Sequence, residues 1–223
     1  RRPPNSTLFP YTTLFRSIGT RVAGNTNQSN NTVIEKYCYS NSDAICTTDG
    51  GLYQWPEAMQ LPYDCHSAAS TDNGNGTYTL ACPTSGSQTI QAKHKGICPT
   101  GWHVPSFTEY QTLAQNSDPG CDLNCYTGDC SCSTAAGKLK ATSSNTPISW
   151  NGTDDYGFTV LPSGHRYGGF FYYRGDFAWL WSSVPYSGGV HDSWTADYNS
   201  YNSGVHGNYT DRTDGYSVRC LKD

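Results

Sequence analysis

The chain has 223 residues, of which 14% are charged, and a formal net charge of −4, so it offers no basic footprint for nucleic acid. No window approaches the ~20 consecutive apolar residues that a membrane-spanning helix requires. Twenty-three Gly, seventeen Tyr, six Trp and a single Met describe a loop-rich, aromatic chain with few long helices, and 35% hydrophobic content still allows a core.

The opening TLFPYTTLFRS fails as a secretory signal, because Pro10, Thr12, Thr13 and Arg16 interrupt the apolar run. It resembles, letter for letter, one reading frame of a widely used short-read sequencing adapter. Residues 1–17 are therefore expected to lie outside the fold, with the domain running over 18–223, a length that suits one domain with a sizeable core. GTRVAGNTNQSNN after Ile18 reads as a surface loop. GGLYQWPEAMQL puts Leu52, Trp55 and Met59 at helical spacing, with Pro56 tolerable only in a first turn. Residues 65–95 carry no sustained period and read as an insertion, with a hairpin at the NGNG turn.

VPSFTEYQTLAQN is the clearest helix start. Ser106 can cap, Glu109 completes a capping box, and Tyr110, Leu113 and Ala114 follow on one face, predicting a helix over about 106–116. Residues 118–133 read as a second, cysteine-rich insertion. Beyond it GFTVLP, FFYYRG, AWLWSSV, SWTADYN and GYSVRCLKD are β-rich runs separated by Gly, Asn and Ser. AWLWSS has apolar residues on both faces and is expected to be a central strand.

Ten cysteines, Cys38, Cys46, Cys65, Cys82, Cys98, Cys121, Cys125, Cys130, Cys132 and Cys220, point to an oxidising, extracellular compartment. CDLNCYTGDCSC could enclose zinc, but the C-x-C step between Cys130 and Cys132 fits structural zinc spacing poorly, and disulfides are the preferred reading. His66, His94, His103, His165, His191 and His206 include no i, i+4 pair of the kind a helical metal site uses. The chain has no phosphate-binding G-x-x-x-x-G-K-[ST] loop, G-x-S-x-G nucleophile elbow or H-E-x-x-H helix.

IEKYCYSNSDAICTTDGGLYQWPEAM, GICPTGWHVPSFTEYQTL, AGKLKAT, DDYGFTVLPSGHR, WLWSSVPY and GYSVRCLKD together resemble the Fibrobacter succinogenes major paralogous domain family, which looks like a branch of the C-type-lectin-like superfamily. The resemblance runs over nearly all of 18–223. Before Ile18, where family members carry a strand, this chain has the adapter-like stretch, and both insertions look larger than usual. The resemblance implies an α+β, C-type-lectin-like domain with two short helices and a twisted antiparallel sheet bearing long disulfide-tied loops. It implies a Cys98–Cys220 bridge across the domain and local pairs Cys38–Cys46 and Cys65–Cys82, and it leaves the pairing of Cys121, Cys125, Cys130 and Cys132 open. His103, within GWHVPS, is expected to serve as a structural hydrogen-bonding residue.

Family members are typically secreted or surface-anchored, and the resemblance implies a bacterial adhesion or binding module rather than an enzyme. Two other readings come with the superfamily. Formylglycine-generating enzymes share it but need an active-site cysteine pair, whereas every cysteine here has a candidate disulfide partner. Retroelement-diversified receptor-binding proteins share the fold and vary its C-terminal half.

Residues 186–216 hold five Tyr, five Gly, four Ser and three Asn, the vocabulary of binding loops, in which Tyr gives rigid contact area and Ser, Gly and Asn give adaptable hydrogen bonds. Ligand contact with a carbohydrate or surface protein is expected there, at Tyr186, Trp194, Asp197, Asn199, Tyr201, Asn202, His206, Asn208 and Tyr209. Strand alternation puts Trp194, Ala196 and Tyr198 on one face and Thr195, Asp197, Asn199 and Tyr201 on the other, and one of the two faces is expected to pack inward and the other to be wet. A sugar is expected to stack on Trp194 or Tyr201, with Asp197, Asn199, Asn202 and Asn208 as polar partners. No cofactor is expected. Calcium is left open: the E-P-N, Q-P-D and W-N-D phrases of sugar-binding C-type lectins are missing, and Asp72, Asn73 and Asn75 in STDNGNG read as a turn. The pairs Asp154–Asp155 and Asp211–Asp214 could ligate calcium only if loops bring them together.

Overall fold

A computed structural model describes residues 17–29, 32–124, 132–142, 150–201 and 203–223. In chain order these form β1 (Thr20–Arg21), β2 (Glu35–Lys36), α1 (Asp43–Asp49), α2 (Trp55–Ala58), β3 (Ala69–Asp72), β4 (Tyr78–Cys82), β5 (Gly86–Ile90), β6 (Trp102–His103), α3 (Phe107–Ser117), α4 (Ala135–Leu139), β7 (His165–Tyr167), β8 (Phe170–Tyr172), β9 (Phe177–Pro185), β10 (Asp192–Asn199), β11 (Val205–Asp211) and β12 (Leu221–Lys222). The fold is α+β, as expected, but α1 and α4 add to the two helices read from the sequence. The β structure is divided among several small sheets, mostly antiparallel, with one parallel pair between β1 and β2.

Local chemistry accounts for the elements that were legible. Ser106 Oγ accepts from the Glu109 amide, and the Glu109 carboxylate accepts from the Ser106 amide, so the capping box starts α3 one residue after the cap. Pro56 sits in the first turn of α2, where its missing N–H costs no helical bond. The NGNG turn does connect a hairpin: Asp72 Oδ1 accepts from the Gly74 amide, Gly74, Asn75 and Gly76 all have positive φ, and β3 pairs with β4 on either side. The insertion at 65–95 is thus a three-stranded sheet, ordered β3-β4-β5, closed at its base by Cys65–Cys82.

The central element is the antiparallel sheet β11-β10-β9, and each of its faces covers a core. On one side Ala178, Leu180, Ala196, Tyr198 and Val205 pack against α3 and α4 through Tyr110, Leu113 and Leu139. Gly207 makes that approach feasible, since a Cβ there would lie 2.5 Å from the Phe107 ring and 2.4 Å from the Leu123 carbonyl. On the other side Trp181 packs with Trp55, Tyr216, Val218 and the Cys98–Cys220 bridge. Two indoles latch this second core: Trp55 Nε1 donates to the Ser182 carbonyl at 2.9 Å and Trp181 Nε1 to the Tyr53 carbonyl at 2.7 Å.

The strand AWLWSSV, expected at the centre, is the outer member of the β9–β11 ladder. It is still hydrogen-bonded along both edges, because Gly164, Ser217 and Pro105 supply backbone partners on the far side. His103 is a buried hydrogen-bonding residue, as expected. Its two ring nitrogens reach Asp223 at 2.7 Å and Glu109 at 3.0 Å, tying the C-terminal strand to α3. Arg212, fully buried, lies over Trp55, donates to the carbonyls of Cys65, Ala68 and Val190, and so fastens the inserted sheet to β11.

Candidate functional site

Alternation along β9 turns Ala178 and Leu180 toward the helices and Phe177, Trp179 and Trp181 to the opposite face. Register then fixes their neighbours on β10: Trp181 lies beside Thr195, Trp179 beside Asp197 and Phe177 beside Asn199. From β11, Asn208 stands opposite Thr195 and His206 opposite Asp197. Burial falls along this row, from fully enclosed Trp181 to half-buried Trp179 and Phe177, so the row emerges from the second core at one end of the sheet.

Asp197 is the polar centre of that end. Its carboxyl accepts from Thr195 Oγ1 at 2.6 Å and from Asn208 Nδ2 at 3.0 Å. Burial pushes its pKa up to about 7, while bonds from Thr195, Asn208 and Trp179 hold it from rising further. Asn199 Oδ1 accepts from the Tyr201 amide at 3.0 Å, and Tyr201, 73% exposed, meets the Phe177 ring edge-on at 5.7 Å.

The residues proposed from the sequence fall into two groups. Asp197, Asn199, Tyr201, His206 and Asn208 gather on the face just described. Trp194, Tyr186 and Tyr209 lie on the other face: Trp194 packs on Phe107 of α3 at 4.3 Å, and Tyr186 stacks on Tyr209 at 3.8 Å. Trp194 is therefore not flanked by Asp197, Asn199 and Asn208, because odd and even positions of one strand point apart. Asn202 lies outside the described residues. The two faces do not divide cleanly into packed and wet, since Thr195, on the face of Asp197, is completely enclosed near Trp181.

Sequence reasoning missed the neighbouring hairpin. Gly168 and Gly169 form a two-residue turn, both at positive φ, that joins β7 to β8. Register puts His165, Tyr167, Phe170 and Tyr172 on one side, and Arg166 and Phe171 on the other. His165 bridges to the site, lying 4.6 Å from Trp179 and 5.7 Å from Tyr173. The signal was legible: Y-G-G-F between aromatic runs is a hairpin pattern.

Three of the carboxylates weighed for calcium are engaged in local turns. Asp154 accepts from the Thr159 amide and hydroxyl, Asp211 from the same groups of Thr213, and Asp72 from Gly74. Among the described residues no group of three or more His, Cys, Asp or Glu is gathered. Among the described residues there are four disulfides: Cys38–Cys46, Cys65–Cys82, Cys98–Cys220 and Cys121–Cys132. Cys125 and Cys130 lie outside the described residues.

Residues 11–222 match the model of the Fibrobacter succinogenes major domain. The chain belongs to that family. No curated protein and no solved structure matches it. The Fibrobacter succinogenes major domain match spans both insertions and every element described above, as well as residues 11–17 of the opening stretch. Among the described residues no helix is long and apolar enough to cross a membrane.

Proposed function

We propose that this domain is an extracellular or cell-surface binding module of C-type-lectin-like fold, which recognises a carbohydrate or protein ligand through its C-terminal half. The observation that carries the reading is the end of the central sheet. There an exposed tyrosine, Tyr201, meets the ring of Phe177, and the Asp197–Asn208 hydrogen-bonding pair lies further along the same face. An aromatic ring next to fixed polar groups is how proteins hold amphipathic ligands. Four disulfides support a location in an oxidising compartment.

The test is a screen of the purified domain on a glycan array and against surface proteins, with and without calcium. The first hit is then measured with Tyr201→Ala and Asn208→Ala. A loss of about 1 kcal/mol or more at Tyr201 is expected for an anchor residue. A ligand bound equally well by both variants would move the site elsewhere.

A further inference from the structure

Eight large hydrophobic side chains are exposed on the described chain, and five of them, Tyr167, Phe170, Tyr172, Tyr173 and Tyr201, belong to one strip. Ring contacts make it continuous: Tyr167 to Tyr172 at 6.5 Å, Tyr172 to Tyr173 at 6.2 Å, Tyr173 to Phe177 at 5.3 Å and Phe177 to Tyr201 at 5.7 Å. The fold does not require these rings to face outward. The hairpin is anchored by its other side, where Phe171 packs on Tyr39 and Arg166 donates to the carbonyls of Gly24 and Thr213. Tyr173 even holds a φ of 59°, a conformation in which a bulky side chain is rare, to stay in the strip. Aromatic surface of this extent on a folded domain marks a contact site.

Three properties define what fits it. The first is charge. Arg166 points away, Arg174 is paired with Asp49, and burial lowers the pKa of His165 to about 4, which leaves its ring neutral. Among the described residues, none of these three groups presents a cation to an acidic ligand on the strip. The second is polarity. Among the described residues the hydroxyls of Tyr167, Tyr172, Tyr173 and Tyr201 make no hydrogen bond, so each ring face comes with a free donor and acceptor at its edge. The third is shape. Successive rings are turned by 56°, 40°, 61° and 70°, which makes a twisted strip rather than a flat platform.

We propose that this strip, extending from the β7–β8 hairpin to Tyr201, binds a single extended chain of a neutral polysaccharide, with the C–H faces of successive sugar rings lying on the aromatic rings and their hydroxyls bonding the tyrosine edges. This rests on the binding reading above and names its ligand class and its surface. A flat crystalline polymer does not match the twist, and an acidic polymer does not match the charge.

The test is electrophoresis of the intact domain through native gels containing hydroxyethylcellulose, arabinoxylan, glucomannan or mixed-linkage β-glucan. Polygalacturonate gels and sedimentation with microcrystalline cellulose serve as contrasts. Retardation by at least one neutral soluble polymer is expected, weakened about fivefold by Tyr172→Ala or Tyr167→Ala and more by both with Tyr201→Ala, as for aromatic anchors. Melting curves confirm that the variants fold. The proposal is overturned by no retardation in any neutral polymer, by retardation that survives the triple variant, or by stronger binding to polygalacturonate or to crystals. If a ligand from the array is lost with Tyr201→Ala yet held normally by Tyr167→Ala and Tyr172→Ala, the binding module stands and the strip is not its site.

Discussion

The central sheet carries two aromatic groups that look alike in the sequence and differ in the fold. Around Trp194, Tyr186 and Tyr209 lie parallel with 2° between their planes, Trp194 meets both edge-on, and Phe107 closes the fourth side. Those rings spend their faces on one another and on α3. Around Tyr201 the rings touch at steep angles, and five of them stay open to solvent. Aromatic density thus says little about availability. What matters is whether a second layer covers the face: α3 covers one group, while the second core stops at Trp179 and leaves the other open.

The severest way to break this contrast is to loosen the frame both groups share. The Cys98–Cys220 bridge spans 122 residues of chain, and replacing both cysteines by Ala should cost about 4–5 kcal/mol in the chain-entropy account. Chemical denaturation should register it, and a loss under 1 kcal/mol would mean that β6 and β12 hold without the bridge. Next, Trp194→Ala should cost about 2–4 kcal/mol by opening a void against Phe107, with no change in ligand affinity. If affinity falls and stability does not, the two groups have been assigned the wrong way round.

Tyr201→Ala should do the reverse, leaving stability within about 0.5 kcal/mol while weakening binding by about 1 kcal/mol or more. The gentlest probe is a slope. Because the folded-state pKa of Asp197 is raised to about 7, its contribution to stability is fullest below the unfolded carboxyl value and is lost as pH rises toward 7. Asp197→Asn removes that loss. The melting temperature of the variant relative to the parent should climb from about pH 4 to about pH 7 and level off above. A flat difference would show that the carboxyl is not enclosed.

Where signals were local, the sequence carried them faithfully. Ser106 and Glu109 defined α3, Pro56 defined α2, and the faces of β10 followed from alternation. The α1 and α4 helices span seven and five residues without a side-chain cap, and nothing short-range announces them. Burial of charge was illegible for a different reason. Arg212 donates to carbonyls 144 and 147 residues away, and Lys140, fully enclosed, donates to the Asn199 carbonyl 59 residues on. The same distance effect hid the enclosure of Thr195, whose cover comes from the second core. Within the candidate site, Asp197, Asn208 and Tyr201 were proposed because Tyr and Asn density flagged their segment. The hairpin rings were overlooked because Y-G-G-F lay outside it.

The inserted sheet has a practical consequence. It is stapled at its base by Cys65–Cys82, packed into the second core through Leu80 and Ile90, and tied to the body by the Arg212 guanidinium. At its tip a side chain added at Gly74 would meet no atom within 4 Å, and at Gly76 only Ala92. Added sequence there would leave both cores and the aromatic strip untouched. That makes the Asp72–Thr77 turn a display port, where an epitope or fluorophore could be carried without disturbing the fold.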